Sequence, residues 1–143
     1  MAQSEHVAAH ATDVFTPSTI QWSAGPASLP PGPKMAILEG DPAKPGLFLF
    51  RLRFPDGFQV QPHWHPTTEH VTVLSGVFKL GHGDTFDESA MEAIPAGSYV
   101  VMPPNTNHFV QISGETVVQY HSIGPWAVNY VKAADDPRNA AGQ

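Results

Sequence analysis

His63, His65 and Glu69, with His108 further along the chain, are the side chains whose types and spacing point most directly to chemistry. The segment around the first three runs from Gly57 through His63-Trp64-His65-Pro66-Thr67-Thr68-Glu69 to Gly76. Successive side chains of a strand point to opposite faces, so His63 and His65 share one face and Trp64 takes the other. The chain turns at Pro66-Thr67-Thr68 and re-enters a strand in which Glu69 can face the same interior. Imidazole nitrogen and carboxylate oxygen both suit first-row divalent metals. The fourth residue, His108, lies in an apolar, strand-like stretch and offers a third nitrogen.

The elements that must position these groups read as short strands joined by tight turns. Leu47 to Phe54 (LFLFRLRF) is the clearest. Phe48, Phe50, Leu52 and Phe54 share one face and should point inward, which puts Arg51 and Arg53 outside. Pro55-Asp56-Gly57 is a turn ahead of the His-bearing strand. Lys34 to Glu39 reads as a strand, and Ile20 to Trp22 as a short one. Val71 to Leu74 and Val77 to Leu80 flank Ser75-Gly76, the pattern of a hairpin. Ser98 to Met102, His108 to Ile112, Thr116 to Ser122 and a last, outer strand at Trp126 to Val131 follow, while Glu88 to Ile94 fits either strand or loop. The reading divides the chain into an N-terminal arm with a proline-rich loop (1–33), a single barrel domain (34–131) and a polar tail (132–143).

Gly57 to Gly76 resembles the first motif of the cupin superfamily, G-x5-H-x-H-x3,4-E-x6-G, at every defined position. Gly97, Pro103 and His108 are similar to the second motif, G-x5-P-x-G-x2-H-x3-N. There Asn105 stands where the family has Gly, and Ile112 where it has Asn. Asn accepts the left-handed backbone nearly as Gly does, and Ile112 replaces a residue that is not a ligand. The resemblance implies an all-β jelly-roll barrel, with His63, His65, Glu69 and His108 as ligands of one divalent transition metal (Fe, Mn, Ni, Cu or Zn). It also implies a homodimer, with the arm or an outer sheet at the interface. Four protein ligands on a six-coordinate ion leave two open positions for water, a chelating substrate, or substrate and dioxygen together.

Other residues carry weaker signals. On the strand from Thr116 to Ser122, one of two alternating sets faces inward. If it is the set with Gln119 and His121, those side chains could support the metal or move a proton, and His121 joins Glu69 as a candidate catalytic residue. If it is the other, Tyr120 is inside and His121 is solvated. Tyr99 and Gln111 pose the same question. His70 should lie on the outer surface, His82 in an exposed turn, and His6 and His10 in a loose terminus. Trp22 and Trp64 suit packing or an interface. The expected pocket lining is apolar: Phe48, Phe50, Leu52, Val71, Val73, Tyr99, Val101, Val110 and Ile112.

Composition narrows the function classes. The 143 residues make one domain with room for a core. A formal charge of −6 with seven Lys and Arg, none clustered, argues against nucleic acid, which needs phosphate-neutralising cations. No apolar run reaches membrane-spanning length. The lack of cysteine removes disulfides, thiolate ligands and cysteine nucleophiles. The opening residues show no secretory pattern yet resemble a mature terminus, which leaves periplasm and cytoplasm equally open. With no inward cation to hold a phosphate or dicarboxylate, the expected substrate is small, neutral or enolisable and binds the metal directly. Dioxygenase-like cleavage is the leading expectation. The alternatives are a non-oxidative metal-dependent lyase, isomerase or decarboxylase, and a barrel that binds a small ligand without transforming it.

Overall fold

Strict alternation sets the inside and outside of the fold, in a computed structural model that describes residues 11–140. His6 and His10 lie outside the described residues. The strands are β1 (Ser23–Ala24), β2 (Lys34–Glu39), β3 (Gly46–Phe54), β4 (Gln59–Trp64), β5 (Glu69–His82), β6 (Glu92–Pro95), β7 (Tyr99–Met102), β8 (His108–Gly124) and β9 (Asn129–Tyr130). Two 3₁₀ turns and a four-residue helix, α1 (Pro137–Ala140), complete the order. Hydrogen-bonded neighbours run β1-β2-β3-β8-β4-β9, all antiparallel. β5 lies along the other edge of β8 and carries β6 and β7 on its own far side. The strands wrap one interior as a jelly-roll barrel of the cupin type.

That interior is made by Phe48, Phe50, Leu52 and Phe54 from β3, Val71, Val73 and Phe78 from β5, and Val110, Ile112, Val118 and Tyr120 from β8. The Phe48 and Phe50 rings stack at 5.4 Å, and Phe50 stacks on Tyr120 at 5.3 Å, so aromatic rings fill space the sequence assigned to a pocket. Two expected lining residues are not there. Tyr99 and Val101 are 56% and 54% exposed, because β7 pairs with β5 in the register that turns Val100 and Met102 inward. Arg51 and Arg53 lie outside as expected: Arg51 Nε donates to Gln119 Oε1 at 3.0 Å, and the Arg53 guanidinium sits 4.5 Å over the Trp22 ring.

The expected hairpin at Ser75-Gly76 is instead a bend within one long strand. β5 runs unbroken from Glu69 to His82, and its pairing with β8 shifts on either side of Ser75. Gly76 has φ +77°, and a Cβ there would fall 2.1 Å from Thr116 Oγ1 and 2.5 Å from the Glu115 carbonyl oxygen. A bulge with a glycine lets the strand turn a barrel corner without ending, which local patterning reads as a turn. β8 likewise joins two expected strands through the exposed Ser113-Gly114-Glu115 bend. Its first part pairs with β4 and its last part with β3. The strand expected at Ile20 to Trp22 falls at Ser23–Ala24 instead. Among the described residues no helix is long and apolar enough to cross a membrane.

Candidate metal centre

The geometry begins with register. β4 places His63 directly opposite His108 of β8, and the two rings lie 4.2 Å apart. His65 follows two residues on, with its ring 5.0 Å from His63 and 5.1 Å from His108. A ligand nitrogen of each lies within 4.8 Å of the others. Asn105 adopts φ 57° and donates its backbone N–H to the His65 carbonyl at 2.8 Å. Its left-handed backbone thus does what glycine would do at that turn.

Each imidazole is turned the same way by its backbone surroundings. Nδ1 of His63 lies 2.7 Å from the Gln61 carbonyl, that of His65 2.8 Å from Ala127, and that of His108 3.1 Å from Thr106. A carbonyl only accepts, so each Nδ1 carries the proton and donates, and each Nε2 keeps a lone pair. Burial pulls all three histidines below their ordinary range. His65 and His108 come down to about 4, and His63 falls well below 6.5, with neighbouring imidazoles adding to the effect for His63 and His108. Neutral imidazole is the form that binds metal.

Glu69 is 1% exposed and meets the histidine group at His65. Oε2 accepts from Trp126 Nε1 at 2.6 Å. Oε1 lies 3.2 Å from His65 Nε2, yet it has no hydrogen-bond partner among the described residues. With its proton on Nδ1, His65 presents a lone pair at Nε2, so two acceptors face one another across 3.2 Å. Such a contact is repulsive unless a cation or a proton lies between them. A divalent ion fits this donor set, and in metal-free protein the carboxyl's own proton fills the role. Burial raises the Glu69 carboxyl to about 8, against the lowering effect of the Trp126 hydrogen bond, and so favours that protonated form.

Trp126 is the residue that sequence reasoning missed. The segment expected as an outer strand at Trp126 to Val131 in fact crosses the site, with only Asn129–Tyr130 as strand. Tyr130 pairs opposite His63, the Ala127 carbonyl holds His65, and the Trp126 ring lies parallel to His65 at 6.0 Å. A tryptophan flanked by Pro125 and Ala127 carries no periodic signal that could have revealed this.

His121 requires the opposite correction. Tyr120 is the buried member of the pair, so His121 faces out on the side of the sheet away from the histidine cluster. Cross-strand register sets it beside His70, ring on ring at 4.5 Å and 6°. Tyr99 Oη lies 2.9 Å from His70 Nδ1. Lone pairs in two parallel ring planes do not converge, so this outer pair is not a chelate. Gln119 is also on the outer face, and Gln111 Nε2 donates to Glu88 Oε1 at 3.1 Å.

An antiparallel jelly roll with three inward histidines at this register defines a cupin. More narrowly, the chain belongs to the family of the ChrR cupin-like domain, which matches residues 10–127. Among curated proteins it is similar to germin-like protein 1-1 of Oryza sativa subsp. japonica, at 34% identity over 70 residues. That stretch is 48% of this chain and 32% of the rice protein's length. Among solved structures, the polyketide cyclase RemF from Streptomyces resistomycificus superposes with a TM-score of 0.68 at 14% identity, covering 93% of this chain and 94% of that one. An RmlC-like cupin from Shewanella frigidimarina gives 0.60 at 15% identity, over 79% and 91%. Salicylate 1,2-dioxygenase from Pseudoaminobacter salicylatoxidans, in complex with gentisate, gives 0.58 at 16%, over 73% of this chain and 30% of that one. At these identities the likeness is one of fold.

Proposed function

We propose that this cupin is a metalloenzyme that holds one divalent transition ion (Fe, Mn, Ni, Cu or Zn) on His63, His65, His108 and Glu69 and carries out dioxygenase-like cleavage of a small organic substrate. One observation carries the reading: three buried imidazoles, each with Nδ1 donated to a carbonyl, bring ligand nitrogens within 4.8 Å of one another, and an unpartnered carboxylate oxygen of Glu69 lies 3.2 Å from one of them, His65 Nε2. Such an ion supplies Lewis acidity toward a chelating oxygen and, where redox-active, a route for electrons between substrate and dioxygen. The chain's own residues do the rest. The carbonyls fix the imidazoles, the phenylalanine-lined interior excludes water, and Glu69 can hold a proton at Oε1 when that oxygen is not a ligand. The histidines are only 3–4% exposed.

A fold shared with a dioxygenase that binds gentisate accommodates oxidative cleavage. The polyketide cyclase superposes over nearly the whole of both chains and favours a second reading, in which the ion acts as a Lewis acid without oxygen. We also propose a second copy of this chain as partner, seated on the apolar outer face that displays Leu47, Ile123 and Val101.

The test is metal analysis of protein purified without added metal, with His63→Ala and His108→Ala alongside, followed by oxygen-electrode assays on catechols, gentisate-like phenols and enolisable ketones. Stoichiometric metal lost in both variants, with oxygen uptake tied to substrate loss, is the expected result. Turnover of the same compounds without oxygen would replace the oxidative reading by the Lewis-acid one. Failure to take up metal on reconstitution would leave a ligand-binding barrel.

A further inference from the structure

We infer that Trp126 is a positioning residue that fixes which oxygen of Glu69 faces His65, one of the three clustered histidines. The inference rests on the metal reading above and concerns a residue at the edge of the family match, in a segment that the sequence reads as a last, outer strand. Glu69 has two oxygens and a single rotatable carboxylate, and at 1% exposure no solvent helps to orient it. Oε2 is taken by the indole N–H at a short 2.6 Å. Oε1 is thereby left facing His65 Nε2 at 3.2 Å. A carboxylate held in this way offers one oxygen to a bound ion and withholds the other.

The indole is itself held from three sides. Its ring lies edge-on to Phe50 at 5.1 Å and parallel to His65 at 6.0 Å, and its backbone N–H donates to the Pro42 carbonyl at 2.6 Å. The next residue contributes the carbonyl that orients His65. Two successive residues of one segment therefore set the orientation of two groups of the site. The segment has a second anchor in the Tyr130 hydroxyl, which donates to the Ser28 carbonyl at 2.5 Å, while the Tyr130 ring, kept in a Phe variant, lies 5.9 Å from His63. That anchor allows the indole's effect on Glu69 to be separated from general loosening of the segment.

The experiment compares Co²⁺ binding and Co²⁺ visible absorption in wild type, Trp126→Phe, Glu69→Ala, the Glu69→Ala/Trp126→Phe double variant and Tyr130→Phe. Losing an outer hydrogen-bond partner should weaken Co²⁺ binding in Trp126→Phe by about 10–100-fold and alter its absorption bands. The Phe substitution should add nothing in the Glu69→Ala background, since a partner that acts through Glu69 has no effect once Glu69 is gone. Tyr130→Phe should keep the wild-type spectrum. An unchanged spectrum and affinity in Trp126→Phe overturns the assignment, and so does an equal loss in the Glu69→Ala background or in Tyr130→Phe. Wild type that binds no Co²⁺ would sink the metal reading itself, an outcome distinct from the others. If Trp126→Phe does not fold, the indole proton left in Trp22→Phe/Trp64→Phe protein decides the matter by ¹⁵N NMR. It should shift on Zn²⁺ saturation, and a signal that stays put overturns the assignment.

Discussion

The ionisation of the buried cluster makes metal-free protein sensitive to pH in both directions. His65 and His108 titrate near 4 in the fold and near 6.5 when unfolded, and His63 moves the same way. Their contribution to stability is therefore present above pH 6.5 and lost as pH falls toward 4. Glu69 titrates near 8 in the fold against 4.5 unfolded, so its contribution is present below 4.5 and lost as pH rises toward 8. Between 4.5 and 6.5 three histidines outweigh one carboxyl, and stability rises with pH. Above 6.5 only Glu69 still changes, and stability falls. Melting in EDTA across pH 5 to 9 should give a maximum at about 6.5. A flat profile from pH 5 to 8 would show that these groups are not buried as the structure has them. At this scale the spacing of His63, His65 and Glu69 was legible from the sequence, because it is local to one strand and the turn after it, and His108 was picked out by the resemblance of the second motif. The burial that sets their ionisation was not, since it depends on what lies opposite each residue.

At the scale of elements, the two long strands β5 and β8 determine whether the site forms. β8 carries His108 at one end and pairs with β3 at the other, while β5 starts at Glu69 and runs beside β8 for its whole length. The bend at Gly76 allows both strands to turn the same barrel corner, and its close approach to Thr116 leaves no room for a side chain. Thr116 Oγ1 also accepts from the Val77 N–H at 3.1 Å, which ties the bend to β8. Gly76→Ala combines a positive φ with a clash against backbone, and should cost about 2–4 kcal/mol in urea unfolding. Gly114→Ala, at a matching φ of +74° but with open space around its Cβ, should cost less. Equal losses would show that φ alone matters and that the contact with Thr116 is unimportant. Ser75-Gly76 could not be told from a hairpin by composition, because a bulge and a tight turn call for the same residue types and differ only in where the next strand pairs.

For the whole molecule, the outer face joins residues from four strands into an apolar surface. Leu47 pairs with Ile123 across β3 and β8, and His121, His70 and Val101 continue the neighbouring row through β8, β5 and β7. The row is uncharged as long as both histidines are neutral, and burial together with the adjacent His70 already pulls His121 below 6.5. If two copies pair through this face, Ile123→Glu and Val101→Glu should each convert a dimer to a monomer by light scattering, with the folded circular dichroism spectrum retained. A dimer that persists in both variants would move the interface elsewhere, and a monomeric wild type would remove it.

The sequence by itself determined the strands with clean alternation, the inward aromatic face of β3 and the ligand-type residues of two motifs. The first two are set within a few residues by the twofold period of a strand, and the motif residues by their resemblance to the family pattern. Only the tertiary structure decided that Tyr120 rather than His121 faces the interior, because two alternating sets of similar polarity leave the choice to register with β5 and β3. It alone brought Trp126 onto Glu69, 57 residues away along the chain. The path of a segment after the last barrel strand depends on where the rest of the barrel leaves an opening, and no local pattern records that.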